Sequence, residues 1–243
     1  MQAETTVPVD KSEQRVRRMF GEIAPSYDRM NHLLSMQVDR YWRWWTARKL
    51  RPQGELPILD VCTGTGDLAL AFYRHTQGKT EIVASDFCPE MLQIGERKKQ
   101  RAGIPDDRLT FVEADAQSLP FDSNRFQIVS VAFGLRNMTH KDRALAEMRR
   151  VLKPGGKLLV LEFSRVAPAL APAYDWYSFN VLPKMGQLVA GDEASYRYLA
   201  ESIRMHPDQE TLAGMMREAG LDRVQFFNMT AGVVALHEGV RLG

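Results

Sequence analysis

Cysteine is scarce in this chain: two residues, Cys62 and Cys88, among 243. Their spacing suits neither a zinc ribbon nor a disulfide framework, so a reducing, cytoplasmic setting is the expectation. Histidine is thin as well. His32, His75, His140, His206 and His237 are scattered, with no H-x-x-x-H pair and no cysteine partner, and no metal is expected. His206, followed by Pro207, reads as the end or cap of a helix. Long apolar runs are missing; Leu158 to Phe163 is too short to span a bilayer and is flanked by polar residues. Residues 1–10 lack the apolar stretch of a signal peptide and read as a flexible tail. An excess of charge is missing too: the formal net charge of +2 is too small to suggest nucleic acid as a partner, while leaving room for local basic clusters.

What is present is a globular composition. Hydrophobic residues make up 44% and charged residues 26%, and the length suffices for one α/β domain with its own core. No repeat or low-complexity segment interrupts 11–243, which reads as a single domain. Residues 11–51 look helical throughout, with no strand alternation and no Gly-rich turn. Strands and helices then alternate: a strand over 57–62, a helix over 67–75, a strand over 81–85, a helix opened by Pro89, a strand over 109–113 and an apolar strand over 126–133. A helix over 141–152 is expected to stop at Lys153-Pro154-Gly155-Gly156, before a strand over 157–163. Residues 164–204 read as an insertion with short helices of its own. A helix over 209–219 and two closing strands, 223–228 and 232–237, complete the pattern. Alternating β and α segments predict a Rossmann-like, mostly parallel sheet of seven strands with helices on both faces and an antiparallel last strand, the partner at an edge.

The strongest site signal is Asp60-Val61-Cys62-Thr63-Gly64-Thr65-Gly66-Asp67. A strand runs into a glycine turn and a helix follows, the arrangement that lets backbone approach a nucleotide without a Cβ in the way. Asp86, about twenty residues on, ends the next strand, where an acid accepts hydrogen bonds from ribose hydroxyls. On spacing alone the loop is ambiguous, because Gly64-x-Gly66-x-x-Ala69 also fits the dinucleotide fingerprint. Asp60 sets a carboxylate near the loop, which suits the cationic methionine part of a methyl donor better than a pyrophosphate. Asp115-Ala116, after the third strand, suits an adenine amino group.

Further motifs carry a family resemblance. They are Ile23-Ala24-Pro25-Ser26-Tyr27-Asp28-Arg29-Met30-Asn31, Leu59 to Leu68, Phe133-Gly134-Leu135-Arg136-Asn137 and Leu152 to Ser164. Tyr177-Ser178-Phe179, Leu182-Pro183, Ser195-Tyr196-Arg197-Tyr198-Leu199, Ile203-Arg204 and Thr230 to His237 continue the set. Over 16–239 the chain resembles the quinone-biosynthesis C-methyltransferases that act on demethylmenaquinol and on 2-methoxy-6-polyprenyl-1,4-benzoquinol. The glycine loop and the Lys153–Gly156 turn are common to many methyltransferases, whereas the motifs at Phe133, Tyr177 and Ser195 are far more specific. The resemblance implies a class I fold with an N-terminal helical cap (11–51) and a substrate-side insertion (164–204). It implies S-adenosyl-L-methionine as donor, held by Asp60, Gly64, Thr65, Gly66, Asp86, Asp115 and Ala116. The acceptor would be a prenylated quinol, demethylmenaquinol for preference. The family often carries Ser where this chain has Ala132, so one hydroxyl contact to the donor is missing or supplied elsewhere.

Methylating a ring carbon requires a phenolate that pushes charge onto the ortho position, hence a base or a stabilising cation. Arg136 is the expected cation, Asp67 a proton relay and Tyr27 a contribution from the helical cap. For Asp67 the plainer alternative is a helix N-terminal acid stabilised by the dipole, and for Tyr27 simple core packing. Arg40-Tyr41-Trp42-Arg43-Trp44-Trp45, with Arg48, Lys49 and Arg51, reads first as a core helix with a charged face and second as a patch for an anionic membrane surface. Residues 167–187 are the expected wall for a prenyl tail, and a homo-oligomer is compatible with the sequence. Two competing functions stand beside the methyltransferase. An NAD-dependent oxidoreductase fits the glycine loop but explains none of the later motifs, and a non-catalytic quinone-binding subunit has no reason to keep the set of acids.

Overall fold

A computed structural model describes residues 13–52, 56–180 and 193–243. The expected tail at 1–10, and Leu182, Pro183 and residues 181–187 of the expected prenyl wall, lie outside the described residues. Seven strands form one sheet: β1 (Ile58–Val61), β2 (Ile82–Asp86), β3 (Leu109–Glu113), β4 (Phe126–Ala132), β5 (Leu152–Phe163), β6 (Asp222–Met229) and β7 (Val234–Val240). Their order is β3-β2-β1-β4-β5-β7-β6. β1 pairs in parallel with β2 and β4, and β4 with β5. β7 is antiparallel to both neighbours. The antiparallel strand is therefore an inner one and β6 takes the edge, because the chain re-enters the sheet after Gly220, forms the edge strand and returns through a tight turn into the gap beside β5.

The middle strands are buried on both faces, as their continuous apolar runs require. Alternate residues feed two cores. On one face Leu59, Val61, Val129 and Val131 pack with Leu145, Met148 and Leu212. On the other Ile58, Ile82, Ile128 and Leu161 pack with Leu68, Phe72 and Trp42. The first core is closed by α6 (Lys141–Val151) and α9 (Gln209–Glu218). The second is closed by α4 (Asp67–Thr76) and by α3 (Val38–Lys49) from the cap. α5 (Pro89–Arg101) opens with proline at its first turn, where the absent N–H removes no helical hydrogen bond.

Two expectations change. The cap is three helices, α1 (Glu13–Ile23), α2 (Tyr27–Leu34) and α3, rather than one helical stretch. The chain turns between α2 and α3 through two left-handed residues, Met36 and Gln37 (φ 49° and 66°), which no side-chain periodicity advertises. The Lys153–Gly156 segment, expected as a break before a strand, is a bulge within one. β5 pairs Leu152 with Phe126, then skips to Lys157 opposite Ile128. Gly155 adopts φ 76° in this bulge, and a Cβ on Gly156 would lie 2.8 Å from the Lys153 carbonyl oxygen, so both glycines are required by geometry. The insertion carries α7 (Ala171–Asn180) and α8 (Glu193–Arg204), and His206 follows the end of α8 as expected.

Candidate functional site

At the carboxyl ends of β1, β2 and β4 two cavities lie back to back. The first is lined by Gly64, Asp86, Asp115, Ala116, Ala132 and Gly134, with Val16, Phe20 and Tyr27 from the cap closing it. The second, of about 250 Å³, is lined mainly by apolar side chains, among them Leu34, Val38, Trp42, Phe163 and Tyr177. Its polar members include Tyr27, Asn31, Asp39, Arg43 and Arg136. Tyr27 and Phe133 belong to both linings and so form the partition.

The partition is held by unusual backbone. Cys62 ends β1 at φ 52° and Phe133 ends β4 at φ 57°, a left-handed region that non-glycine residues adopt only under constraint. Part of that constraint is close packing. A Cβ on Gly134 would fall 2.5 Å from Cys62 Cβ, so only glycine permits the two strand ends to meet. Burial, then the carboxylates of Asp86, Asp60, Asp115 and Glu162, push the Cys62 thiol well above its ordinary value. It stays a thiol and is no nucleophile.

Asp86 is the most committed acid of the first cavity. Its Oδ2 accepts the Gly64 N–H at 2.8 Å and its Oδ1 the Cys88 N–H at 3.0 Å. Each oxygen keeps a lone pair for a ligand hydroxyl. Burial nevertheless raises its pKa to about 6, against the pull of those backbone donors. Asp115, on the cavity wall, accepts the Gln117 N–H through Oδ1 at 2.9 Å, which fixes its carboxylate there. Gly64 lies on the wall, and a Cβ there would meet only Tyr27 Cε1 at 3.9 Å, so it would project into the space a ligand needs. The cradle, the ribose acid and the adenine-side acid together fit an adenine nucleoside.

Not every expected donor contact reaches this cavity. Gly64, Asp86, Asp115 and Ala116 line it, while Asp60, Thr65 and Gly66 stand behind it. Asp60 is buried beneath the loop, with Oδ2 accepting from Thr63 Oγ1 at 2.7 Å and Oδ1 from Ser130 Oγ at 2.6 Å. Burial lifts it to about 6, although both hydroxyls oppose the rise. A Cβ on Gly66 would sit 2.7 Å from the Phe111 ring, so this glycine serves helix-to-sheet packing.

Thr65 and Asp67 belong to a latch that sequence reasoning missed. Lys98 on α5 bonds Asp67 Oδ1 at 2.6 Å, Asp28 Oδ2 at 2.6 Å and Thr65 Oγ1 at 2.9 Å. Thr65 Oγ1 also donates to Asp28 Oδ1 at 2.5 Å. One ammonium thus ties the cap, through Asp28, to the glycine loop and to α4, and Asp28 is the neighbour of Tyr27. Burial would raise the Asp67 pKa, but Arg43 and Lys98 hold it below the usual carboxylate value. It stands outside both cavities and at neutral pH is an ionised partner of Lys98 rather than a proton acceptor of matched pKa.

Arg136 is buried at the second cavity. Its Nη1 bonds Glu162 Oε1 at 3.0 Å and the Phe133 carbonyl, and its guanidinium lies over the Phe163 ring. Facing it from the cap, Asp39 accepts from Ser35 Oγ at 2.7 Å, contacts His32 Nδ1 at 2.8 Å and pairs with Arg43. Burial alone would raise Asp39, and Ser35, Arg43 and His32 outweigh it and keep the carboxylate ionised. Tyr27 sits between these cations. Burial raises its pKa, opposed by Arg136, Arg43 and a hydrogen bond with Asn31. The second cavity therefore offers an apolar chamber with a charged, hydrogen-bonding end, next to the partition. Asp28, Arg43 and Glu162 lie in stretches singled out in the sequence but were given no role there, and Lys98 and Asp39 lie in none; each acquires its role through a partner on another element or another turn.

Comparison with known proteins agrees with this arrangement. A family model described as the ubiE/COQ5 methyltransferase family matches residues 9–241. A "Ubiquinone/menaquinone biosynthesis C-methyltransferase UbiE" from Bordetella parapertussis is 59% identical over 98% of this chain and 91% of its own length. A protein of the same name from Hahella chejuensis is 51% identical over 97% of this chain and 94% of its own. Among solved structures, a SAM dependent methyltransferase from Aquifex aeolicus superposes with a TM-score of 0.62 at 15% identity, covering 88% of this chain and 97% of that one. That likeness bears on the fold alone.

Proposed function

The chain belongs to the ubiE/COQ5 methyltransferase family, and from that footing we infer that it methylates a ring carbon of reduced demethylmenaquinol. At the coarser level it is a C-methyltransferase of ubiquinone/menaquinone biosynthesis that uses S-adenosyl-L-methionine. The observation that carries the finer reading is the pair of cavities sharing Tyr27 and Phe133. One carries the glycine wall and the two acids that suit an adenine nucleoside; the other is apolar with a polar end, as a prenylated quinol demands. Bound in the first, S-adenosyl-L-methionine supplies an electrophilic methyl group on a sulfonium.

The residues of the chain do the rest. Asp86 and Asp115 orient the nucleoside by accepting its hydroxyl and amino hydrogens. Tyr27 and Phe133 exclude water where the two chambers meet. Arg136, balanced by Glu162, and Arg43, balanced by Asp39, present N–H donors to a quinol oxygen and favour its phenolate form. The new C–C bond forms at the ortho carbon as the C–S bond breaks with its electron pair going to sulfur, and the ring C–H proton leaves as aromaticity returns. The oxidised quinone lacks the electrons for this step.

Residues 11–243 act as one methyltransferase domain, with the cap over 11–51 and the insertion over 164–204. The protein works in the cytoplasm at the inner face of the membrane, where its acceptor resides; among the described residues no helix is long and apolar enough to cross a bilayer. The test is incubation of the protein and donor with reduced demethylmenaquinol and, separately, with reduced 2-methoxy-6-polyprenyl-1,4-benzoquinol, following product mass. Gain of one methyl on the naphthoquinol is expected. Gain on the benzoquinol alone overturns the acceptor, and no gain on either despite donor binding overturns both quinols.

A further inference from the structure

A third cleft, of about 660 Å³, opens on the side of α3 away from the apolar chamber. Its walls carry six permanent cations, Arg40, Arg43, Arg48, Arg74, Lys98 and Arg101, with His32 and His75 between them and a single carboxylate, Asp67. Lys98 and Arg43 are spoken for by Asp28, Asp67 and Asp39. Among the described residues Arg40 bonds the Gln37 side-chain oxygen and no acid, and the Arg48 guanidinium lies 4.9 Å over the exposed Trp44 ring. No acid within ion-pair distance is found for Arg74 or Arg101 among the described residues. Arg48, Arg74, Lys98 and Arg101 each stand in the last turn of a helix, where the dipole favours a cation. The dipole does not account for three such helix ends converging on one concave surface, where like charges repel one another across the gap.

We propose that this cleft is a binding site for a phosphate-bearing anion. Guanidinium groups present paired N–H donors that match phosphate oxygens bidentately. Arg48 lies over the Trp44 ring, a contact that leaves guanidinium N–H groups free to donate, and Trp44 itself stacks with exposed Tyr41. Arg43 lines both this cleft and the apolar chamber, so an anion here lies one side chain from the quinol end of the site. A lipid headgroup and a soluble phosphate ester present the same chemistry to these guanidinium groups, and the test separates the two sources. The site does not depend on which quinol is methylated.

The full-length chain would be assayed for co-flotation with phosphatidylglycerol vesicles, with phosphatidylcholine vesicles as the neutral comparison, and titrated calorimetrically with glycerol 3-phosphate and pyrophosphate. Binding to phosphatidylglycerol or to a soluble phosphate is expected. The double variant Arg74→Ala/Arg101→Ala should weaken it about thirtyfold, two cation contacts at about 1 kcal/mol each. Its melting temperature and donor affinity should not change. A control pair on other surfaces, Arg143→Ala/Arg223→Ala, removes the same charge and should keep binding. Retention of vesicles alone identifies the lipid source, and binding of soluble esters identifies the phosphate group itself. Binding of neither probe, or equal loss in the control pair, overturns the site.

Discussion

Asp60 and Asp86 stand at neighbouring strand ends and both titrate near 6, yet they tolerate change differently. Asp60 is satisfied by two hydroxyls, which can accept as well as donate, so an amide fits in its place. Asp86 accepts two backbone N–H groups, and an amide nitrogen would face one of them. Folding raises both pKa values above the ordinary 3.8, so the folded form holds these protons more tightly than the unfolded chain. The stabilisation is full below the unfolded value and is lost as pH rises through about 6. Asp60→Asn should therefore raise the melting temperature of the unliganded protein at pH 7 and flatten its dependence between about pH 4 and 6. Asp86→Asn should lower it by the equivalent of about 1–3 kcal/mol and weaken donor binding. Thermal scans across pH with calorimetric donor titration check both, and a pH slope unchanged in Asp60→Asn contradicts the assignment. Arg136 poses a separate question, because removing it strands Glu162. Arg136→Ala is expected to cost about 3–5 kcal/mol of stability and to abolish turnover, with donor affinity of the folded protein near normal. Arg136→Lys keeps a cation beside Glu162, and its turnover reports on the guanidinium alone. Loss of donor binding in the lysine variant would show that Arg136 acts on the first cavity instead.

Among the elements, the cap depends on its latch. Lys98→Met removes the one cation shared by Asp28 and Asp67, and those carboxylates then repel. The expected result is a roughly tenfold loss of donor affinity, about 1.4 kcal/mol, with the sheet still folded by circular dichroism. The first cavity measures about 70 Å³, well under the ~300–1,000 Å³ of ordinary ligand sites. Room for a nucleoside must come from the cap walls Val16, Phe20 and Tyr27. Hydrogen exchange in α1 should accordingly change on adding the donor, while exchange in β1 and β4 stays as it was. The sheet was legible in the sequence because its parallel strands are largely apolar runs between polar or glycine-bearing turns, and the boundaries of β1 to β4 fall within a residue or two of expectation, whereas β5 starts five residues earlier and β7 runs three residues further. Gly64, Asp86, Asp115 and Tyr27 were legible because motif and wall coincide. Lys153–Gly156 was misplaced because a bulge and a turn use the same residues. The latch was invisible, since Asp28, Thr65, Asp67 and Lys98 come together only when the cap, the loop, α4 and α5 have packed.

At the scale of the molecule, one sheet carries two cores and two chambers, with Tyr27 and Phe133 as the only side chains common to both chamber linings. Most of the remaining wall comes from different elements: α1 and the loops after β1, β2 and β3 for the first, and α2, α3, α7 and α8 for the second, while the segment after β4 gives Gly134 and Asn137 to the first and Arg136 to the second. Steady-state kinetics should carry that separation. S-adenosylhomocysteine is expected to compete with the donor and to act noncompetitively against the quinol, and competition against both would mean that the chambers merge during turnover. A divided chamber also bears on release. With linings that share only a partition, a spent nucleoside and a methylated quinol need not pass through each other's space, and the departure of either is expected to leave the other in place.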